Sequence, residues 1–402
     1  MKIVTVLFSL FTQIVCSYSQ QPWPGSSWEA STDLTAAMSP SGVVELSGVH
    51  YNPSQNRLFL VQDIGRLRVL QLDEVNGNHV QLADFNIGGD AEGITQVINY
   101  DNEAWVINEN DLRIERYQFS PNFSIITLLR TYDLSLPQSG FTVFNDGGPE
   151  GICFVPDSFL QSAGFMSSVT GQSYTSQKGM GGLMFIAHQH QGQIWVYDIN
   201  PDLNDDYVLV GTYNTNRQES CGLSFDSSTG LLYVLHNLDN NYLEVCTLST
   251  SQSGQNYKLN MVEEFHVPVP VNGNRNIEGV AVSPKCEDAL HPTLWLVRDL
   301  SGQHSVNSLK QFRPFGLLGS CEASLENQVI PSGFVLFPNP STGIVYLELG
   351  QEENLVEVLD LNGKLVFEST LDGPIGELNL SHVEKGVYLV RIGGHVARLI
   401  LE

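Results

Sequence analysis

Basic residues are scarce. The chain of 402 residues holds 19 lysines and arginines against 44 aspartates and glutamates, a formal charge of −25. A surface of that sign repels phosphate backbones and anionic lipid and concentrates cations, so nucleic acid is excluded as a partner. Past the N-terminus no run of about 18 apolar residues occurs, so no transmembrane helix is expected. Helical periodicity is also scarce. There is no Cys-x-x-Cys pair, which removes zinc-ribbon and thioredoxin chemistry. Neither a Gly-x-Ser-x-Gly elbow nor a zinc-protease signature is found, which leaves a serine hydrolase or metalloprotease without support.

The N-terminus reads Met-Lys, an apolar stretch from Ile3 to Cys16 and Ser17-Tyr18-Ser19 before Gln20. Charge, apolar core and small-residue site make residues 1–19 a secretory signal peptide. The residues before Cys16, Gln-Ile-Val, are not the small ones that precede a lipidated cysteine. Five cysteines remain, an odd number for an exported chain. Cys286 and Cys321 are the expected disulfide, because both lie in polar loop sequence near the end of the larger unit. Cys153, Cys221 and Cys246 are either bridged or buried free thiols.

Between residues 40 and 315 one grammar recurs five times. Leu46-Ser47-Gly48-Val49, Ala91-Glu92-Gly93-Ile94, Pro149-Glu150-Gly151-Ile152, Ser220-Cys221-Gly222-Leu223 and Ile277-Glu278-Gly279-Val280 each open an apolar run. A second run follows each and ends in two polar residues: Gln62-Asp63, Asn108-Glu109, His188-Gln189, His236-Asn237 and Arg298-Asp299. Alternating runs such as Leu67 to Leu72 and Ile194 to Ile199 then close the unit. Period-two alternation broken by turn residues means antiparallel strands. The residues before glycine step by 45, 58, 71 and 57 positions, the spacing of propeller blades. The expectation is an all-β chain with a five-bladed β-propeller. Six blades is the fallback if the Ser-, Gly- and Gln-rich stretch between Gln161 and Gly182 hides another, and otherwise that stretch is an insertion after the first strand of the third blade.

Glycine after an acid permits close backbone approach at the crowded start of the innermost strand. Glu92, Glu150 and Glu278 then converge on one axial channel, and three carboxylates cannot share it unprotonated without a cation. Calcium fits best, being a hard ion that takes oxygen ligands in variable number. The polar strand ends add Asp63, Glu109 and Asp299 as further oxygen donors. The competing reading is that these acids bond main-chain amides and bind nothing.

The run of Leu-Ser-Gly first, Pro-Glu-Gly-Ile in the middle and Ile-Glu-Gly-Val-Ala last resembles the SdiA-regulated family of bacterial envelope propellers over residues 40–315. The resemblance implies a five-bladed propeller with a calcium site, with Glu92, Glu150 and Glu278 at its acidic positions. Cys221 in the small-residue slot and the long third-blade insertion depart from the family pattern.

His188 and His190 sit two apart on one strand, a spacing suited to zinc or copper, although no third ligand of that type is near. An ordinary polar strand end is the simpler reading. His236 repeats the position of His188, and Arg298 that of both, so His188, His190, His236 and Arg298 are the candidate ligand-facing residues. Phosphate would recruit several basic residues, and only Arg66, Arg217, Arg275 and Arg298 lie near the repeats. The acidic run Asn200 to Asp206 lacks the glycine and glutamate of a calcium loop and reads as a solvated turn.

A polar linker, residues 321–330, leads to a second unit at 331–402. It reads Phe-Pro-Asn-Pro-Ser-Thr-Gly (337–343), Asp-Leu-Asn-Gly-Lys (360–364) and Lys-Gly-Val-Tyr-Leu-Val (385–390), then a terminal strand. Asn362-Gly363 is a hairpin turn, and about seven short strands predict a small immunoglobulin-like β-sandwich. The pattern resembles the type A C-terminal sorting domain of the type IX (Por) secretion system. That resemblance implies periplasmic passage, recognition of residues 331–402 by the outer-membrane translocon, and a destination outside the cell or on its surface. Function then resides in residues 20–330. The leading expectation is a calcium-binding propeller acting as a binding or scaffold module for a small molecule or surface ligand. The alternative is a calcium-dependent hydrolase of esters, lactones or phosphoesters using the same acidic channel.

Overall fold

The computed structural model describes residues 22–38, 45–98, 102–143, 147–237, 241–254, 256–271, 275–287, 291–299, 306–321, 334–337, 341–349, 353–360, 363–372, 375–392 and 395–401. The signal-peptide segment, most of the linker and Asn362 fall outside them. Two compact units divide at Cys321.

In the larger unit the alternating runs form antiparallel meanders of four strands. The first contains Leu46–Asn52, Arg57–Gln62, Arg66–Gln71 and Val80–Asn86, and the second Ala91–Thr95, Glu103–Asn108, Arg113–Phe119 and Ile126–Asp133. The third contains Pro149–Pro156, Gly182–His188, Gln193–Ile199 and Tyr207–Asn214, and the fourth Gly222–Asp226, Leu231–His236, Tyr242–Ser253 and Asn256–His266. A single parallel pair, Asn214 with Lys258, joins these last two into one eight-stranded sheet. Ile277–Val282, Leu294–Arg298 and Leu309–Phe312 begin the fifth sheet, and the N-terminal strand Thr32–Asp33 completes it by pairing with Gln311 and Lys310. Asp33 locks that closure, accepting from the Thr35 and Asn307 N–H groups at 3.0 and 2.8 Å.

Alternation along each second strand sends neighbouring residues to opposite faces. Phe59 and Val61 pack with Ala104 and Val106 of the second sheet, whereas Leu58 and Leu60 pack with Trp295 and Val297 of the fifth. Trp105 and Ile107 meet Met184 and Ile186 of the third sheet. Val196 and Phe185 meet Leu232 and Val234 of the fourth, and Tyr233 and Leu235 meet Leu294 and Leu296 of the fifth. One apolar layer therefore lies between every neighbouring pair, and the sheets close into a ring. This is the architecture of a β-propeller.

The innermost strands meet at the repeated glycines. A Cβ on Gly48 would lie 2.6 Å from the Glu92 carbonyl oxygen, one on Gly93 2.5 Å from that of Glu150, and one on Gly151 2.7 Å from that of Cys221. Gly222 meets the Glu278 oxygen at 2.7 Å, and Gly279 returns to that of Ser47 at 2.6 Å. Each contact is with rigid main chain, so only glycine allows the approach.

The stretch after Gln161 forms no sheet. It carries the end of a helix, Asp157–Ala163, and an isolated bridge between Met166 and Ser173. Asp198 fastens it, accepting from Tyr174 Oη, Ser176 Oγ and the Gln177 N–H at 3.0, 2.9 and 2.7 Å. The acidic run beyond it does more than meet solvent: Asp205 ties the third meander to the second by accepting from the Asp133 N–H at 2.8 Å, and Asp206 pairs with Lys178 of the third meander's own insertion. Cys286 and Cys321 form a disulfide, and Cys153, Cys221 and Cys246 are buried free thiols.

The smaller unit has two sheets. Phe334–Phe337, Ile344–Leu349 and Ile375–Asn379 make one, and Leu365–Asp372, Glu353–Leu359, Gly386–Ile392 and His395–Leu401 the other. Val345, Leu347, Val356, Val358, Val390 and Leu399 share the core.

A Gly93→Ala substitution should lower unfolding free energy by about 1–3 kcal/mol, because its methyl group meets main chain on the neighbouring strand. Denaturant unfolding of the variant checks this, and an unchanged midpoint would contradict the ring of close contacts.

Candidate functional site

In four of the five sheets the residue before the glycine sits at an irregularity in the ladder. The register between first and second strands shifts between Leu46 and Gly48, Ala91 and Gly93, Pro149 and Ile152, and Ile277 and Gly279. Such a bulge re-aims a side chain that alternation would otherwise bury between sheets. Ser47, Glu92, Gly151, Cys221 and Gly279 line one axial cavity. Glu92 is 9% and Glu150 5% exposed.

Two further sets of side chains surround this end of the axis. The main-chain N–H of Glu109 donates to the Asp90 oxygen at 2.9 Å, that of Gln189 to Gly148 at 3.2 Å and that of Asp299 to Asn276 at 3.0 Å. These bonds continue the ladder past the bulge. They hold the ends of these three second strands beside the residue two places before the axial one.

Asp90, Glu92 and Glu109 are the tightest group: one oxygen from each lies within 4.8 Å of the others. Asn110 Nδ2 donates to Asp90 Oδ2 at 2.7 Å. Glu109 reaches across to the third sheet, where its Oε1 would lie 2.6 Å from a Cβ on Gly148. On the other side of the ring, Asn276 Nδ2 donates to Glu278 Oε1 and, at 3.1 Å, to Asp299 Oδ2.

Electrostatics binds these residues into one system. Burial first, then Glu278, Asp90 and Glu109, drive the Glu92 carboxyl well above its ordinary range. Burial and then Glu92, Glu109, Glu278 and Glu219 do the same to Glu150. Glu278 is raised by burial, Asp299 and Asp63, against a hydrogen bond from Asn276. Asp63 is pushed up to about 6 by burial, then Glu45, with Asp299 and Asp90 adding to it and the Ile64 N–H opposing. The charges acting most on these four groups are all carboxylates. Asp90, Glu219 and Glu45 had no place in the repeat-based reading, although each lies two residues before an axial position, on the same side of an extended chain.

The histidines and arginines expected to face a ligand have partners within the protein. His188 is buried, with Nε2 bonded to the Thr142 oxygen at 2.8 Å and Nδ1 accepting from the His190 N–H at 2.9 Å. His190 lies in a 3-10 turn beyond the strand, so the two imidazoles do not share a strand face. His236 is buried between the Glu219 carbonyl and Glu244, 3.3 Å from Nε2. In both rings the two nitrogens are already engaged by the protein. Arg298 lies over the Trp28 ring at 5.4 Å. Arg66 pairs with Asp84 at 2.7 Å, and Arg217 pairs with Glu264. The third-sheet insertion leaves its strand after Pro156, roughly 20 Å from Glu150 at the rise of an extended chain.

Residues 335–400 match the family described as the secretion system C-terminal sorting domain. The chain carries an export tail. That tail addresses it through type IX secretion to the cell surface or the extracellular space. No curated protein matches the chain. Among solved structures it is similar to one titled "Structure of Dos1 propeller", at 14% identity and a TM-score of 0.34, covering 88% of this chain and 77% of that one. Another, "Crystal structure of Nidogen/Laminin Complex", shares 12% identity with a TM-score of 0.35, covering 64% and 73%. The ring closure, rather than these likenesses, identifies the propeller. No helix among the described residues is long and apolar enough to cross a membrane.

Raised carboxyls keep protons in the folded chain that the unfolded chain has released. Stability without a cation therefore falls as pH rises from the ordinary carboxylate range through the folded values. In chelator, the melting temperature of Glu92→Gln should gain on that of the parent as pH rises from about 5 to about 8. A constant difference in parallel thermal melts would contradict the crowding.

Proposed function

We propose that this chain is a secreted calcium-binding β-propeller of five blades, related to the SdiA-regulated family, that serves as a binding or scaffold module at the cell surface. The single observation that carries the reading is the group Asp90, Glu92 and Glu109, with buried Glu150 beside it. Oxygens that each sit about 2.4 Å from one calcium lie at most about 4.8 Å apart, the spread this group has before any ion is considered.

The donor chemistry supports a hard cation. Cys221 is the one soft donor at the five axial positions, and its thiol is directed at the Leu235 and Ile277 carbonyl oxygens at 3.4 and 3.6 Å. When bound, the ion would supply neutralising charge, and Asp90, Glu92, Glu109 and Glu150 would hold it.

No observation favours the hydrolase alternative. His188 and His236 have both ring nitrogens committed to the protein, and the charges nearest the axis would repel a phosphoester. On this reading the surface ligand binds at the same acidic mouth, where the remaining carboxylates attract cationic groups.

Calorimetric titration of calcium into the chelator-stripped chain should show binding, and calcium at a hundredfold excess over Kd should stabilise the fold by about 2.7 kcal/mol. Glu150→Gln should weaken that binding at least about tenfold, because burial prevents solvent from replacing the lost charge. Absence of binding by the parent chain would overturn the proposal.

A further inference from the structure

The two ends of the propeller chain meet each other beside the fourth and fifth sheets. Past the strand Leu309–Phe312 the chain runs on to Cys321 as a strap without sheet pairing. Phe315 and Leu317 of the strap enter the apolar layer between those sheets, and Trp28 of the N-terminal segment lies in the same layer. Trp23 stands edge-on to Phe312 and Phe315, with ring centroids 5.3 and 4.8 Å apart, and the Gly316 N–H donates to the Pro24 oxygen at 3.0 Å. A Cβ on Gly25 would lie 2.9 Å from the Phe315 ring, so strap and N-terminal segment are in direct contact. That segment leads into Thr32–Asp33, the strand that completes the fifth sheet.

Few polar contacts hold the strap itself. The Phe315 N–H donates to the Pro292 oxygen at 2.7 Å, the Leu318 N–H donates to Tyr233 Oη at 3.2 Å, and Lys285 Nζ donates to the Gly319 oxygen. Its far end is fixed covalently. Cys321 is bonded to Cys286, whose N–H donates at 3.1 Å to Ser228 Oγ in a turn of the fourth sheet. Cys286 is half-buried and Cys321 exposed, so the bond is open to an exchanging thiol. Cys153, Cys221 and Cys246 are buried and do not compete for it. Cys321 is also the last residue of the larger unit, so the bond secures the propeller where the sorting unit begins.

We propose that the Cys286–Cys321 disulfide is a redox latch. Formed, it pins the strap over the N-terminal segment and holds the strand that completes the fifth sheet. Reduced, it frees the strap and loosens that strand. The step is thiol–disulfide exchange: a thiolate of an external dithiol attacks the Cys321 sulfur, and Cys286 leaves as a thiolate and takes a proton. The second thiol of the dithiol then displaces Cys321, which leaves two protein thiols and an oxidised dithiol. Closure runs the same exchange backwards against an oxidised carrier. The export tail sends the chain to compartments where such a bond persists, away from a cytosol that keeps thiols reduced. The latch uses none of the axial acids and is independent of the calcium reading.

Hydrogen exchange of the full chain, followed by mass spectrometry with and without a dithiol, tests the latch, and a thiol count confirms reduction. The expected result is exchange in residues 22–35 faster by at least about tenfold after reduction, with Glu103–Asn108 of the second sheet unchanged. The double variant Cys286→Ser, Cys321→Ser should exchange as the reduced parent does and show no further response to dithiol. The reduced parent reads the latch even where the variant does not fold. Unchanged exchange in residues 22–35 of the reduced parent, a bond that resists dithiol in the folded chain, or an equal rise in Glu103–Asn108 overturns it.

Discussion

Everything at the axis follows from the close approach of five glycines to five carbonyl oxygens. Gly48, Gly93, Gly151, Gly222 and Gly279 let each innermost strand touch the next, and that contact leaves no room for a side chain between strands. In four of the five sheets a bulge displaces the residue before the glycine, and Ser47 and Glu92 reach the axial cavity in this way. Where that residue is glutamate, packing energy from the apolar layers forces like charges together. The interfaces supply the energy and the axis bears the strain.

This division explains why the core is robust while the axis is electrostatically unsettled. Five apolar layers, each built from alternate residues of facing strands, make every sheet depend on both neighbours. The N-terminal strand Thr32–Asp33 completes the last sheet and removes its open edge. Against that framework the carboxyls of Glu92, Glu150 and Glu278 are held in place whether or not anything neutralises them, which is the preorganisation a cation site requires. The sorting tail adds a context in which such a site is useful, since calcium is plentiful outside the cell.

Much of the fold was legible because its constraints are local in sequence. Glycine after a polar residue at the head of each apolar run marked the innermost strands, and alternation marked their partners. The acids that recur at those two places, Glu92, Glu150 and Glu278 with Asp63, Glu109 and Asp299, could be named from the repeat alone. Asp90, Glu45 and Glu219 could not, because their position is filled by Gly148 and Asn276 in the other repeats and so has no signature. The surroundings of the histidines are illegible for a different reason. Polarity at a strand end says nothing about Thr142, Glu219 or Glu244, which reach the two rings from elsewhere in the chain. A two-residue strand such as Thr32–Asp33 is too short for any periodicity to show.

The decisive question is whether the crowded carboxylates hold an ion at the propeller axis. Long-wavelength anomalous diffraction from crystals grown in calcium tests that directly. An anomalous peak enclosed by Asp90, Glu92 and Glu109 is the predicted result. A map with no peak at the axis, at a calcium concentration that saturates ordinary extracellular sites, would contradict it.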